Sequence, residues 1–203
     1  RTYGIGAEVV APPVRSMADC ACRSIPGIEP GFLLCVSRLL AYKNVGATAA
    51  AFGHLPQNRL IVVGTGPQRN ALTALAGPNV TFLGRVDDAE LAWLYANCAG
   101  VVAASQEDFG LAPVEAASCG KPVAALRSGG FLETVIEGRT GVFFDRPDPP
   151  GIAWAVRALL EKTWDAGLIR DHADRFLESF FALRFSLAAG ITSAPASDEV
   201  AVA

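Results

Sequence analysis

The feature that most constrains this chain is a rhythm of six short apolar runs, at residues 32–36, 60–63, 80–83, 100–103, 122–126 and 142–144. Each is nearly continuous rather than alternating, the pattern of a strand buried on both faces. Between the runs lie segments expected to be helical, at 44–52, 69–75, 88–96, 111–118 and 131–137, with further helices predicted over 150–162 and 166–179. Asp87 can cap the third of these, and Glu90 three residues on completes a capping box. Such alternation predicts an α/β, doubly wound, Rossmann-like parallel sheet of about six strands, with right-handed crossovers and helices on both faces. The 203 residues suit one domain, and 51% hydrophobic against 18% charged residues excludes a disordered chain. No apolar run is long enough to cross a bilayer as a helix.

The flanks read differently. Residues 1–30 are broken by Pro12-Pro13, Pro26-Gly27 and Pro30, a lead-in or interdomain crossing in which Val9-Val10 is expected to form a short strand. Residues 31–190 make the ligand-binding domain, and 191–203 read as a disordered tail. The chain begins at Arg1 without an initiator methionine, so a piece of a longer polypeptide is expected.

In a sheet of this kind ligands bind beyond the carboxyl ends of the strands, which makes the segments following each run the candidate site. After the fourth run comes Glu107-Asp108-Phe109-Gly110-Leu111-Ala112-Pro113-Val114-Glu115. Pro113 in a first helical turn loses no needed hydrogen bond, so a helix should open near Leu111. Its amides near Phe109, Gly110 and Leu111 would face an anion. Glu107, ahead of the helix, can accept hydrogen bonds from sugar hydroxyls. Glu115, one turn in, is expected to hold two vicinal ribose hydroxyls with its two oxygens. The bland alternative has Glu107 solvated and Glu115 complementing the helix dipole. A paired-carboxylate glycosidase is disfavoured, because one glutamate sits in a loop and the other on a helix beside a phosphate-type cradle.

The other loops complete this picture. Arg38 and Lys43 follow the first run and offer a donor fork and a mobile point charge, a pair suited to a diphosphate; alone they would read as two solvated charges. Gly64-Thr65-Gly66-Pro67 follows the second run, where glycines permit close backbone approach to a ligand or simply turn a strand into a helix. Arg69 stands where a dinucleotide fingerprint would place its third glycine, which ranks a nicotinamide oxidoreductase last. Gly84-Arg85-Val86 follows the third run, and its backbone can read a nucleobase edge or form an ordinary turn. Ser128-Gly129-Gly130 with Glu133 either lines the sugar end of the pocket or makes a plain turn.

The remaining chemistry is negative. A net charge of −3 gives no general case for nucleic acid or an anionic membrane. Five cysteines without framework spacing (Cys20, Cys22, Cys35, Cys98, Cys119) suit reduced, cytosolic thiols; Cys20 and Cys22 have no second pair to complete a zinc site, and no metal is expected. Cys35, Cys98 and Cys119 read as core residues, His54 and His172 as surface or packing residues, and Trp93, Trp154 and Trp164 as helix packing.

The ordered set Arg38 and Lys43, Gly64-Thr65-Gly66-Pro67, Gly84-Arg85-Val86, Glu107…Glu115, Gly129-Gly130 with Glu133, and Gly138-Arg139-Thr140-Gly141 resembles the donor-binding, C-terminal lobe of GT-B retaining glycosyltransferases of family 4 (glycosyltransferase group 1). The resemblance runs from about Gly4 to Phe185. It implies that Arg38 and Lys43 hold the donor diphosphate, Glu107 contacts the transferred sugar and Glu115 binds the ribose. Gly64, Gly66, Arg85, Val86, Phe109, Gly110, Leu111 and Gly130 complete the donor site. The reading is that of a hexosyltransferase half whose acceptor, a glycan, lipid or small molecule, is bound by a lobe absent here. The full enzyme would be cytoplasmic, with peripheral membrane association open to it and no cofactor or metal beyond its nucleotide-sugar substrate. The wording of Glu-Asp-Phe-Gly and Gly-Gly-Phe-Leu-Glu-Thr-Val resembles bacterial mannosyltransferases that use GDP-mannose. The alternatives are a nucleotide-sugar-sensing regulatory module and a sugar-nucleotide epimerase of GT-B form.

Overall fold

A computed structural model describes residues 10–191. All six runs are strands: β1 (Leu33–Val36), β2 (Leu60–Val63), β3 (Val80–Gly84), β4 (Gly100–Ala103), β5 (Val123–Leu126) and β6 (Gly141–Phe144). They form one parallel sheet in the order β3-β2-β1-β4-β5-β6. Burial follows position. Every residue of β2, β4 and β5 is buried, whereas the edge strand β3 exposes Thr81 and β6 leaves Val142 half-buried. That is why the central runs carry no alternation.

The helices are α1 (Val45–Ala51), α2 (Arg69–Leu75), α3 (Asp88–Asn97), α4 (Leu111–Ser118), α5 (Phe131–Thr134), α6 (Pro149–Glu161), α7 (Ala166–Ala173) and α8 (Glu178–Ala188). The capping box opens α3: Asp87 accepts from the Glu90 amide at 3.0 Å, and Glu90 accepts from the Asp87 amide at 3.1 Å. α6 packs beside α1, and α7 beside α4.

Two expected helices come out differently. The one predicted over 131–137 stops at Thr134, because Val135 is extended and the Ile136 amide donates to Thr140 Oγ1. Glu137 instead takes a two-pronged bond from Arg127, which also binds Asp145. The one predicted over 166–179 breaks after a single 3-10 turn (Asp174–Phe176), because Leu177 is extended and bridges to Val14, whose amide donates to the Phe176 carbonyl. The lead-in is thus docked on the body: Val14 and Met17 are buried, and the Met17 amide donates to Ser118 Oγ. Val9 of the expected Val9-Val10 strand lies outside the described residues, as do residues 192–203; Val10 is in no strand.

Cys35 and Cys98 are buried and Cys119 half-buried, and burial pushes all three thiols up, to about 12, 12 and 11. His172 is buried, bonded to the Thr134 carbonyl at 3.0 Å, while His54 is exposed. Trp154 departs from its expected packing role. The buried stripe of α6 (Ile152, Ala153, Ala155, Val156, Leu159) leaves Trp154 on the opposite side, 57% exposed. Among the described residues no helix is long and apolar enough to cross a membrane.

Candidate functional site

The strand order reverses direction between β1 and β4, and there the pairing is short. β1 matches β2 along four residues but β4 along only two, Leu33 with Gly100 and Leu34 with Val101. Beyond that point the two strands part. The opening is a cavity of about 440 Å³, floored by Cys35, Val36, Val102 and Ala103. A crevice at a topological switch point is where an open α/β sheet binds its ligand.

Three segments wall it. The first leaves β1 through Ser37 and Arg38 and makes a 3-10 turn, Ala41–Lys43. Asn44 ends that turn in the left-handed region (φ 54°), and its side-chain amide donates to the Ala104 carbonyl at 2.9 Å. This clamp ties the β1 loop to the exit of β4, so Lys43 is brought over the crevice. Its ammonium donates to Glu107 Oε1, and the Ser105 hydroxyl bonds the same oxygen. Arg38 is exposed at the mouth, its Nη2 3.4 Å from the Tyr42 hydroxyl.

The second segment is residues 107–110 and the start of α4. Gly110 takes φ +98°, and a Cβ there would meet the Phe131 ring at 2.6 Å, so glycine is required on both counts. It provides no side-chain cap, which leaves the positive end of α4 directed to the cavity lined by Gly110, Leu111 and Ala112. Phe109 and Glu115 line the same space. Glu115 is half-buried; desolvation raises its carboxyl above the usual range, and a 2.6 Å hydrogen bond donated by the Tyr95 hydroxyl offsets part of that rise. Phe131, from the third segment, closes the wall.

Arg38, Lys43, Glu107, Phe109, Gly110, Leu111 and Glu115 are therefore together in one cavity. Gly64, Gly66 and Gly130 lie behind its walls. A Cβ at Gly64 would stand 1.9 Å from the Ser37 carbonyl oxygen, and one at Gly66 2.5 Å from that of Leu39. Gly130 touches the backbone of Phe109 and donates its amide to the Glu107 carbonyl at 2.7 Å. Arg85 and Val86 line a separate shallow cleft with Arg23, Asp87, Asp88 and Ala89, and Glu133 is exposed away from both. Asn44, Ser105 and Tyr95 carry the site without having been singled out from sequence. Asn44, directly ahead of an apolar helical run, carried a signal for a helix cap, but its side chain makes no cap and bonds Ala104 instead. Tyr95 and Ser105 had none, because their partners are 20 residues away or fixed by loop geometry. Among the described residues no group of three or more His, Cys, Asp and Glu is placed to hold a metal ion.

The sequence pattern of the family described as Glycosyl transferases group 1 matches residues 30–162. This chain belongs to that family. A glycogen synthase of Mycobacterium tuberculosis is 36% identical over 146 residues, covering 67% of this chain and 35% of that protein. A GDP-mannose-dependent alpha-(1-6)-phosphatidylinositol monomannoside mannosyltransferase of Mycolicibacterium smegmatis is 32% identical over 175 residues, 77% of this chain and 45% of its own length. Among solved structures, Anabaena HepE in complex with UDP-glucose superposes with a TM-score of 0.67 at 26% identity, over 79% of this chain and 49% of that one. The lipopolysaccharide outer core galactosyltransferase WaaB shares the fold, with a TM-score of 0.73 at 20% identity, over 93% of this chain and 57% of its own. The six-stranded parallel sheet is that of GT-B glycosyltransferases. The chain spans about a third to a half of the length of these two curated relatives.

Proposed function

We propose that this chain is the donor-binding half of a retaining hexosyltransferase that moves a sugar from a nucleoside diphosphate to an acceptor hydroxyl. The observation that carries the reading is the switch-point cavity itself. It gathers two cations, three carboxylates (Glu107, Asp108 and Glu115) and a helix N-terminus, among them the groups that a sugar, a ribose and a diphosphate each need. The diphosphate lies against the start of α4 and draws Lys43 from Glu107, with Arg38 closing from the mouth. Glu107, released from the ammonium, accepts from hydroxyls of the transferred sugar, and Glu115 accepts from the ribose.

In the whole enzyme the acceptor attacks the anomeric carbon from the face the nucleotide leaves. Charge then grows on the departing diphosphate, and the Arg38 guanidinium, the Lys43 ammonium and the α4 amides stabilise it in place of a divalent ion. With the acceptor site assigned to residues beyond this chain, which spans less than half of the two curated relatives, the chain alone should bind donor and transfer little. The GDP-mannose dependence named for the M. smegmatis relative supports that donor here, as does the Glu-Asp-Phe-Gly wording; the UDP-glucose-bound neighbour makes UDP-glucose the comparison to run.

The test is calorimetric titration with GDP-mannose, UDP-glucose, UDP-N-acetylglucosamine and ADP-glucose, with Glu115→Ala as control. Selective binding of GDP-mannose that the substitution abolishes is the expected result. Selective binding of another donor would overturn the mannosyl assignment alone. No binding by the folded chain would remove the donor-site reading.

A further inference from the structure

One buried polar group behind the cavity has no part in the donor contacts proposed above. Tyr95, on α3, is fully buried, and its hydroxyl donates to Glu115 Oε2 at 2.6 Å. Tyr95 does not line the cavity, whereas Glu115 does. The carboxylate therefore has a dry side, fixed by the phenol, and a side turned to the cavity. This changes the expectation that both Glu115 oxygens are free for ribose. Oε2 is already engaged, which leaves Oε1 as the oxygen uncommitted to a protein donor among the described residues.

The arrangement is costly to build unless it has a use. A buried tyrosine hydroxyl must find a partner, and a carboxylate drawn out of water is held only where hydrogen bonds compensate it. Phenylalanine would fill the same space in α3 with neither requirement. Left without the phenol, a glutamate side chain recovers rotamer freedom that a ligand must then remove on binding.

We infer that Tyr95 is a positioning residue for donor recognition, holding the Glu115 carboxylate in the one orientation that accepts from the ribose hydroxyls. The inference rests on the donor-site reading of the cavity. Its consequence is specific: Tyr95 governs the preference for ribose over deoxyribose and acts only through Glu115.

The experiment is titration of the chain with GDP and UDP and with their 2′-deoxy counterparts, for wild type, Tyr95→Phe, Glu115→Ala and the double variant, each checked for folding by its thermal unfolding curve. Tyr95→Phe should weaken the preferred ribonucleotide by roughly tenfold, the scale of a lost charge-assisted hydrogen bond and restored rotamer freedom. Its effect on the 2′-deoxy form should be several-fold smaller, and in the Glu115→Ala background it should add nothing. Equal weakening of both nucleotides, or an undiminished loss without Glu115, would assign Tyr95 to packing and overturn the inference. Unaltered ribonucleotide affinity in Tyr95→Phe beside a clear loss in Glu115→Ala would do the same while leaving the donor site intact. Failure of folded wild type to bind either nucleotide would instead fell the donor-site reading and the inference together.

Discussion

Gly130→Ala isolates steric shape from charge at this site. Gly130 has φ −64° and ψ −14°, an ordinary helical conformation, so alanine meets no backbone strain there. The obstacle is its neighbour. The new methyl carbon would stand 2.3 Å from both the Cα and the carbonyl oxygen of Phe109. Carbon atoms settle at about 3.5 Å, so the loop carrying Glu107 has to retreat by roughly 1.2 Å. Both contacts are backbone, and no rotamer change relieves them. Overpacking of this kind costs about 1–3 kcal/mol of stability, and a catalytic group misplaced by ~1 Å loses activity on the order of 100-fold. The retreat also stretches the 2.7 Å bond from the Gly130 amide to the Glu107 carbonyl. Urea unfolding should show the loss of stability, and calorimetry a donor affinity weakened by tenfold or more. Gly53→Ala is the control, since nothing lies within 4 Å of a methyl there. A Gly130→Ala protein with the wild-type unfolding midpoint and donor affinity would refute the close packing of this loop and the role assigned to it.

Lys43→Ala should weaken donor binding by about 10- to 100-fold, the scale of charge-assisted hydrogen bonds, and lower the urea midpoint because Glu107 loses its cation; an unaltered affinity would sink its assignment to the diphosphate. Burial raises the Glu115 carboxyl, and the proposed ribose contact needs its ionised form, so donor affinity should fall on acidification at a pH above the ordinary carboxylate range. Stability runs the other way for this group: with the folded value above the unfolded one, its contribution is full below the unfolded value and is lost as pH rises through the folded one. Titrations and urea midpoints from pH 4 to 7, compared with Glu115→Gln, should show both slopes flattened in the variant. Asp87→Ala removes the α3 cap and one carboxylate that Arg23 binds, and should cost about 0.5–2 kcal/mol in urea unfolding.

Most of the fold was legible because its signals are local. A run such as Leu60-Ile61-Val62-Val63 is a buried strand on its own evidence, and Asp87 with Glu90 announces a helix start within four residues. The two helix ends that moved depend on partners far away in sequence. Nothing near Leu177 says that Val14 will take up its backbone, and the turn from Val135 onward is fixed by the Thr140 hydroxyl and by Arg127. Trp154 shows the limit of residue type as a guide, since its size suggests packing while its place off the buried α6 stripe puts it in solvent.

The glycines show why a site is only partly legible. Sequence can say that Gly64, Gly66 and Gly130 permit close approach, but not what approaches. In the folded chain the approaching bodies are protein backbone: Ser37 to Leu39 for the first two, Phe109 for the third. These glycines shape the loops that carry Arg38 and Glu107, and the proposed donor contacts fall to the charged residues. The two groups should therefore fail in different ways. Removing exposed Arg38 takes away attraction and leaves the fold in place, so affinity falls alone. Adding a methyl at Gly64, 1.9 Å from the Ser37 oxygen and at φ +131°, strains the backbone and moves a loop, so stability and affinity fall together. A glycine variant that lost affinity with its stability intact would show that ligand, not backbone, fills the space beside it.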